Sequence, residues 1–325
     1  MNRLFSRPRA ELVLVGVTIL WGSTFVVTKD AVQTIAPLPF LTIRFGAAAL
    51  LLCALYGRRL RTAGRRAIVD GVVLGLLNSA GLVLQVFGQV YTTVAKSSFI
   101  TSFNTPLTPL VGWLLYRSRP SGPQRVAVVV ATLGLMLLTW PGAGAHFNRG
   151  DLLTVGCAVL YAITIVEIAR RTPGQDAGLL TAIQVVTAAL MFGACLIAAR
   201  IAIALYAPAH LPEMLRLETR PLVLTHRLCA ELAWMAVMCT VVTFAGQTWA
   251  MARMSATAAA VTFALEPVFA TTMALALGGA AEWPGARGSV GALLVLLAVG
   301  ISELRARAPR NGANGPGSTL PSGNS

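Results

Sequence analysis

The sequence is poor in charge and poorer still in acid. Of 325 residues only 12% are charged, and 12 Asp and Glu stand against 26 Lys and Arg. A soluble domain of ordinary composition carries about twice that share of charge. With 56% hydrophobic residues and a mean hydropathy of +0.71, water cannot solvate the surface this chain would present, so the bilayer is its solvent. Histidine is scarce: His146, His210 and His226 fall in connecting segments without ligand spacing. The five cysteines, Cys53, Cys157, Cys195, Cys229 and Cys239, show no paired metal-site spacing and read as small hydrophobes. No metal or cofactor is therefore expected. The scarcity of acids and the absence of histidine from apolar runs also argue against an intramembrane enzyme, which needs paired carboxylates, a histidine pair or an activated nucleophile.

The net charge of +14 would point to nucleic acid on a soluble protein. Here the basic residues interrupt long apolar runs, the pattern of cytoplasmic loops, and nucleic acid is not an expected partner. A span needs roughly 20 apolar residues to cross roughly 30 Å of hydrocarbon. Ten such runs occur, near residues 12–31, 38–56, 68–91, 94–116, 123–140, 152–168, 178–199, 231–250, 255–278 and 286–302. The first lacks a small-residue cleavage site after Trp21-Gly22-Ser23 and reads as a span. The expected fold is an all-α integral membrane protein with ten transmembrane helices.

Orientation follows from arginine. With the N-terminus inside, the inner connections hold 17 Arg or Lys and the outer ones 6. Lys29, Arg44 and Lys96 lie within apolar runs. Both termini are expected in the cytoplasm of a cell inner (plasma) membrane protein. Residues 305–325, rich in Gly, Pro, Asn and Ser, are expected to be a disordered tail. The outer connection from about Ile201 to His226 is long, and Pro212 to Arg220 is expected to form a surface helix.

The chain also repeats itself. Residues 88–109 shifted by 158 positions fall on 246–267 without a gap, pairing Gly88-Gln89 with Gly246-Gln247, Ser97 with Ser255, Leu107 with Leu265 and Pro109 with Pro267. Five spans separate the copies, so the halves would be inserted upside down, as in carriers whose substrate site lies between inverted repeats. The expected division is a five-helix repeat over 1–140 and a second over 141–304.

Several short motifs, in order, resemble the ten-helix EamA-type branch of the drug/metabolite transporter superfamily. They are Trp21-Gly22-Ser23-Thr24-Phe25; Pro39 followed by Arg44; Thr92 to Thr101 ending in Pro109; Gly150-Asp151-Leu152-Leu153; and Ser255 to Ala259 followed by Leu265-Glu266-Pro267. Where family members often carry Gly-Glu after the fourth span, this chain has Arg117-Ser118-Arg119-Pro120. The resemblance implies export or uptake of amino acids or similar metabolites. A channel or lipid scramblase is the alternative, since it also places polar groups between helices.

Polar side chains at membrane depth are costly and face the bundle interior, which makes them candidate substrate contacts. These are Trp21, Ser23, Thr24, Asn78, Gln85, Asn104, Tyr161 and Glu266; interhelical hydrogen bonding is the competing role. Lys29, Arg44 and Lys96 either snorkel to headgroups or converge on an outer vestibule that favours anions. Pro106, Pro109 and Pro267 free the carbonyls of Ser102, Thr105 and Phe263 for a ligand or a neighbouring threonine. Glu266 is the acid centred in a span. An ionised carboxylate so deep costs several kcal/mol unless matched, so it is expected to be protonated or paired, and to handle substrate or a coupling proton.

Overall fold

The structure is a computed structural model that describes residues 2–139, 147–206, 211–278 and 285–303. The expected disordered tail, His146 and His210 lie outside the described residues. Every regular element among the described residues is helical: α1 (Asn2–Thr34), α2 (Pro37–Arg61), α3 (Arg65–Tyr91), α4 (Val94–Thr101), α5 (Asn104–Tyr116), α6 (Gly122–Thr139), α7 (Arg149–Arg171), α8 (Ala177–Leu205), α9 (Glu213–Leu217), α10 (His226–Ala236), α11 (Thr243–Met251), α12 (Ala256–Phe263), α13 (Glu266–Gly278) and α14 (Gly285–Glu303).

Among the described residues, eight helical stretches are long and apolar enough to cross a membrane: those of α1, α2, α3, α7, α8, the α10–α11 rod, the α12–α13 pair and α14. The protein is thus a multi-pass membrane protein. The other two expected spans differ for physical reasons. The run near 94–116 is interrupted at Ser102-Phe103, three residues before Pro106, whose nitrogen carries no hydrogen to donate. The apolar stretch Gly122–Leu138 of α6 is short.

Local sequence sets the helix ends. Thr92-Thr93 is the turn between α3 and α4, and Thr93 caps α4 by accepting from the Lys96 amide at 3.2 Å. Ser255 caps α12 in the same way from Ala258, also at 3.2 Å. Asn148 and Asp151 form a reciprocal capping box at the start of α7. Pro37 opens α2, where its missing N–H costs nothing.

The two broken runs match each other at an offset different from the one the sequence predicts. α4 and α12 begin at 94 and 256, α5 and α13 at 104 and 266, and the corresponding ends also differ by 162. Pro109 is accordingly the sixth residue of α5 and Pro267 the second of α13, so these prolines do not hold equivalent places. α3 and α11 end at 91 and 251, and the link that follows is two residues longer in the second copy. The offset is already 160 at the ends of α3 and α11, and the longer link brings it to 162.

Lipid tails are as apolar as leucine, so cohesion here comes from close packing and interhelical hydrogen bonds. α6 crosses α14 where a side chain on Gly134 would come within 2.8 Å of the Gly291 carbonyl, and one on Gly291 within 2.5 Å of the Gly134 carbonyl. The motif glycine Gly22 likewise lets α1 approach α13, where a Cβ would stand 3.0 Å from the Ala270 nitrogen.

Two polar clamps tie the ends of α3 to α7. At the N-terminal end of α3, Arg171 Nη1 bonds Asp70 at 2.6 Å and Arg171 Nε bonds Glu167 at 2.5 Å, while the Tyr116 hydroxyl donates to Glu167. At the other end Lys96 Nζ pairs with Asp151 at 2.6 Å, and Thr92 Oγ1 donates to Asp151 at 2.7 Å. Asp70 and Thr92 are about 33 Å apart by helical rise, the depth of a bilayer core. The surface helix expected over 212–220 is the short α9. It serves as a strap: Glu218 Oε1 accepts from the Leu38 amide at the start of α2 at 3.1 Å, and Arg220 Nη1 donates to the Val32 carbonyl of α1 at 3.0 Å.

Candidate substrate cavity

Between the clamps lies a cavity with about 710 Å³ of empty space including its mouth. Trp21, Thr24 and Thr28 reach it from α1, because positions three and seven apart share a helix face. Asn78, Leu82, Gln85, Val86 and Gln89 form the corresponding stripe of α3. Arg44 enters from α2, Asn104 from α5, Tyr161 and Ile165 from α7, Phe244 and Gln247 from α11, Phe263 from α12 and Glu266 from α13.

One wall is aromatic. The Trp21 ring lies 5.4 Å from Phe263 and 6.4 Å edge-on from Phe244, centroid to centroid. On the opposite chemistry, Tyr161 donates to Gln85 Oε1 at 3.0 Å. Gln89 Oε1 and Gln247 Oε1 are buried without a donor among the described residues. Glu266 is the first residue after the Ala264-Leu265 turn, not the middle of a continuous helix, and its carboxyl has no hydrogen-bond or ion-pair partner among the described residues. Its interhelical-bonding role is thus without a partner. A helix N-terminus favours a carboxylate at that place.

Seven of the eight candidates from the sequence face this one space. Ser23 does not: its hydroxyl donates to the Leu20 carbonyl at 2.6 Å and lies 3.7 Å from the Cys239 sulfur. Of the three intramembrane bases Arg44 lines the cavity, while Lys29 and Lys96 are both engaged beside Thr92. Lys29 Nζ donates to the carbonyls of Gln89 at 2.6 Å and Thr92 at 2.9 Å, and Lys96 is committed to Asp151. Arg44 is only 3% exposed and does not snorkel. Its Nε donates to Thr240 Oγ1 at 2.9 Å and its Nη2 to the Cys239 carbonyl at 2.9 Å, both in a π-helical stretch, Val237–Val242, that joins α10 to α11. The Ser102 carbonyl freed by Pro106 accepts from the Thr105 amide at 3.0 Å.

Three polar lining residues escaped the sequence reading: Thr28, Gln89 and Gln247. Signals for them existed. Thr28 is four residues from Thr24 and Gln89 four from Gln85, so each shares a face with a candidate. Gln247 is the partner of Gln89 in the repeat.

Comparison with known proteins gives the following. The model of the EamA-like transporter family matches residues 8–140 and 148–303. A protein of Archaeoglobus fulgidus described as an uncharacterized transporter is 33% identical over 165 residues, 50% of this chain and 50% of that protein. The uncharacterized transporter YyaM of Bacillus subtilis is 24% identical over 161 residues, 47% of this chain and 53% of that protein. The match spans about half the length of these curated relatives. A solved structure, titled only as the crystal structure of a protein, shares the fold with a TM-score of 0.69 at 17% identity, over 93% of this chain and 98% of that chain.

Proposed function

This chain belongs to the EamA-like transporter family, and we propose that it is a secondary carrier moving small metabolites, such as amino acids or related compounds, by alternating access. The observation that carries this reading is a single cavity lined by residues of both halves of the chain, Trp21, Asn78 and Asn104 from one, Tyr161, Gln247 and Glu266 from the other. A substrate held between two halves can be exposed to either side by rocking one against the other.

Two inverted five-helix repeats, 1–140 and 141–304, give the rocking units. Taking α4–α5 and the short α6 as spans makes ten. The packing supports a two-fold relation between the halves: α1 lies on α13 as α7 lies on α5, α3 on α7 as α11 on α1, and α6 on α14. The 162-residue offset of the broken helices and the two family matches support it too. The arginine bias of 17 against 6 supports an orientation with both termini in the cytoplasm of an inner-membrane protein. Glu266, facing the cavity unpaired, is the group to exchange a substrate cation for a coupling proton.

Counterflow in proteoliposomes, with a panel of amino acids and other small metabolites, tests the carrier. Saturable uptake that is accelerated by unlabelled substrate inside supports it; flux that neither saturates nor exchanges makes the protein a channel or scramblase instead. A reporter fused after Arg310 and another at Ala143 test the orientation, and a C-terminal reporter active only outside overturns it.

A further inference from the structure

The chain leaves α5 through a left-handed residue that is not glycine. Arg117, with φ 53°, is the one non-glycine residue of positive φ among the described residues. The turn is a Schellman motif: the Arg117 amide donates to the Trp113 carbonyl at 2.8 Å and the Ser118 amide to the Gly112 carbonyl at 3.2 Å. Glycine takes this conformation without steric cost, so a side chain kept there points to a use for it. The segment Arg117-Ser118-Arg119-Pro120 carries two bases and no acid.

The Arg117 guanidinium lies over the Trp113 ring, 5.2 Å from its centroid. Arg170, at the end of α7, lies over the Tyr116 ring at 3.8 Å. Trp113 and Tyr116 are three residues apart on α5, so both guanidiniums are held where α5 meets α7. Stacking uses the face of a guanidinium and leaves its edge N–H groups for an anion. Neither arginine has a carboxylate partner among the described residues. The acids of the clamp at the N-terminal end of α3 are taken: Glu167 by Arg171 at 2.5 Å, and Asp70 by Arg171 at 2.6 Å and Arg66 at 3.6 Å.

Both arginines are exposed at helix ends, the depth at which arginine meets headgroups. The α5 surface beneath them is apolar and open: Leu110, Trp113 and Leu114, at helical spacing on one face, are 60%, 44% and 66% exposed. A phospholipid presents a phosphate at that depth with hydrocarbon below it. Two unmatched guanidiniums favour a headgroup of net negative charge over one that carries its own ammonium. We infer that Arg117 and Arg170 bind the phosphate of an anionic phospholipid whose acyl chains lie along Leu110, Trp113 and Leu114. Arg117 belongs to the first half of the chain and Arg170 to the second, so the headgroup bridges the halves beside the clamp of Tyr116, Glu167 and Arg171. Bound lipid therefore steadies the bundle at this end.

The test is thermal unfolding of the purified full-length protein in neutral detergent, with phosphatidylglycerol, phosphatidylcholine or inorganic phosphate added. Phosphatidylglycerol should raise the wild-type midpoint by about 3 °C or more, and the other two should leave it nearly unmoved. Arg117→Gln with Arg170→Gln should lose most of the rise. Arg58→Gln with Arg61→Gln, which removes two exposed bases at the end of α2, should keep it. Arg117→Gly suits the left-handed position, so it should fold at least as well as wild type and still lose part of the rise. It serves if the double variant does not fold. An equal rise with phosphatidylcholine or inorganic phosphate overturns the inference, as does no rise in wild type. A full rise in Arg117→Gly or in the Arg117 and Arg170 double variant overturns it too. An equal loss in the α2 variant would reduce the effect to net charge and remove the site.

Discussion

Asn104 and Glu266 occupy the same place in two broken helices, each the first residue after the turn, 162 positions apart, and both face the central cavity. Each break starts a new helical segment, so its first residue stands at a helix N-terminus. One such end carries a neutral amide and the other an acid. This asymmetry makes Glu266 the residue through which the two halves differ chemically.

Replacing Glu266 by Gln keeps size and hydrogen bonding but removes ionisation. Transport by the well-expressed variant should fall by about tenfold or more and lose its dependence on pH, measured in proteoliposomes from acid to neutral pH. Wild-type rates with unchanged pH dependence would leave Glu266 a structural residue.

Lys96→Met should destabilise the fold by about 3–5 kcal/mol, because it leaves the fully buried Asp151 side chain without its cation. Thermal unfolding in detergent measures this. The double variant with Asp151→Asn should recover part of the loss, since the uncompensated charge is then gone. An unchanged transition in Lys96→Met would show that Thr92 and the α7 cap suffice.

Gly291→Leu should separate α6 from α14, at a cost of about 1–3 kcal/mol or more for overpacking, since any Cβ there meets the Gly134 backbone. Gly16→Leu, on α1 where a Cβ meets nothing within 4 Å, is the control and should behave as wild type in the same unfolding assay.

Glu218 makes strap docking sensitive to pH. Burial is the main cause that pushes its carboxyl up from 4.5 to about 7, against the lowering effects of the Leu38 amide, Arg200 and Arg220. The proton is held more tightly when the strap is docked than when it is free. The stabilisation is therefore complete below pH 4.5 and fades as pH rises through about 7. Hydrogen exchange at Leu38 and in α9 should speed up between pH 6 and 8 beyond its intrinsic rise, by about tenfold at most. Glu218→Gln should remove that excess; if it persists, another group controls the strap.

The sequence by itself determined the solvent, the helical class and most of the polar side chains that line the cavity. Apolar runs of bilayer length leave a backbone no alternative to helices, and polar side chains spaced at helical period on such runs must turn inward. That is why Trp21, Thr24, Asn78, Gln85, Asn104, Tyr161 and Glu266 could be named before the fold was seen. Tertiary structure alone decided the rest, for reasons of partner choice that no local pattern encodes. Ser23 has the same depth and polarity as Thr24, yet the Leu20 carbonyl and the Cys239 sulfur, 216 residues away, take its hydroxyl. Arg44 could have reached a headgroup, but a π-helical stretch nearly 200 positions on offers it Thr240 and a carbonyl. The 162-residue offset of the broken helices depends on where α3 and α11 end and on a link two residues longer in the second half, and Lys29 and Lys96 are both engaged beside Thr92 at the end of α3. Hydropathy sets which residues leave the lipid; only the packed bundle sets which of them remain unpaired, and an unpaired buried group is what a ligand can use.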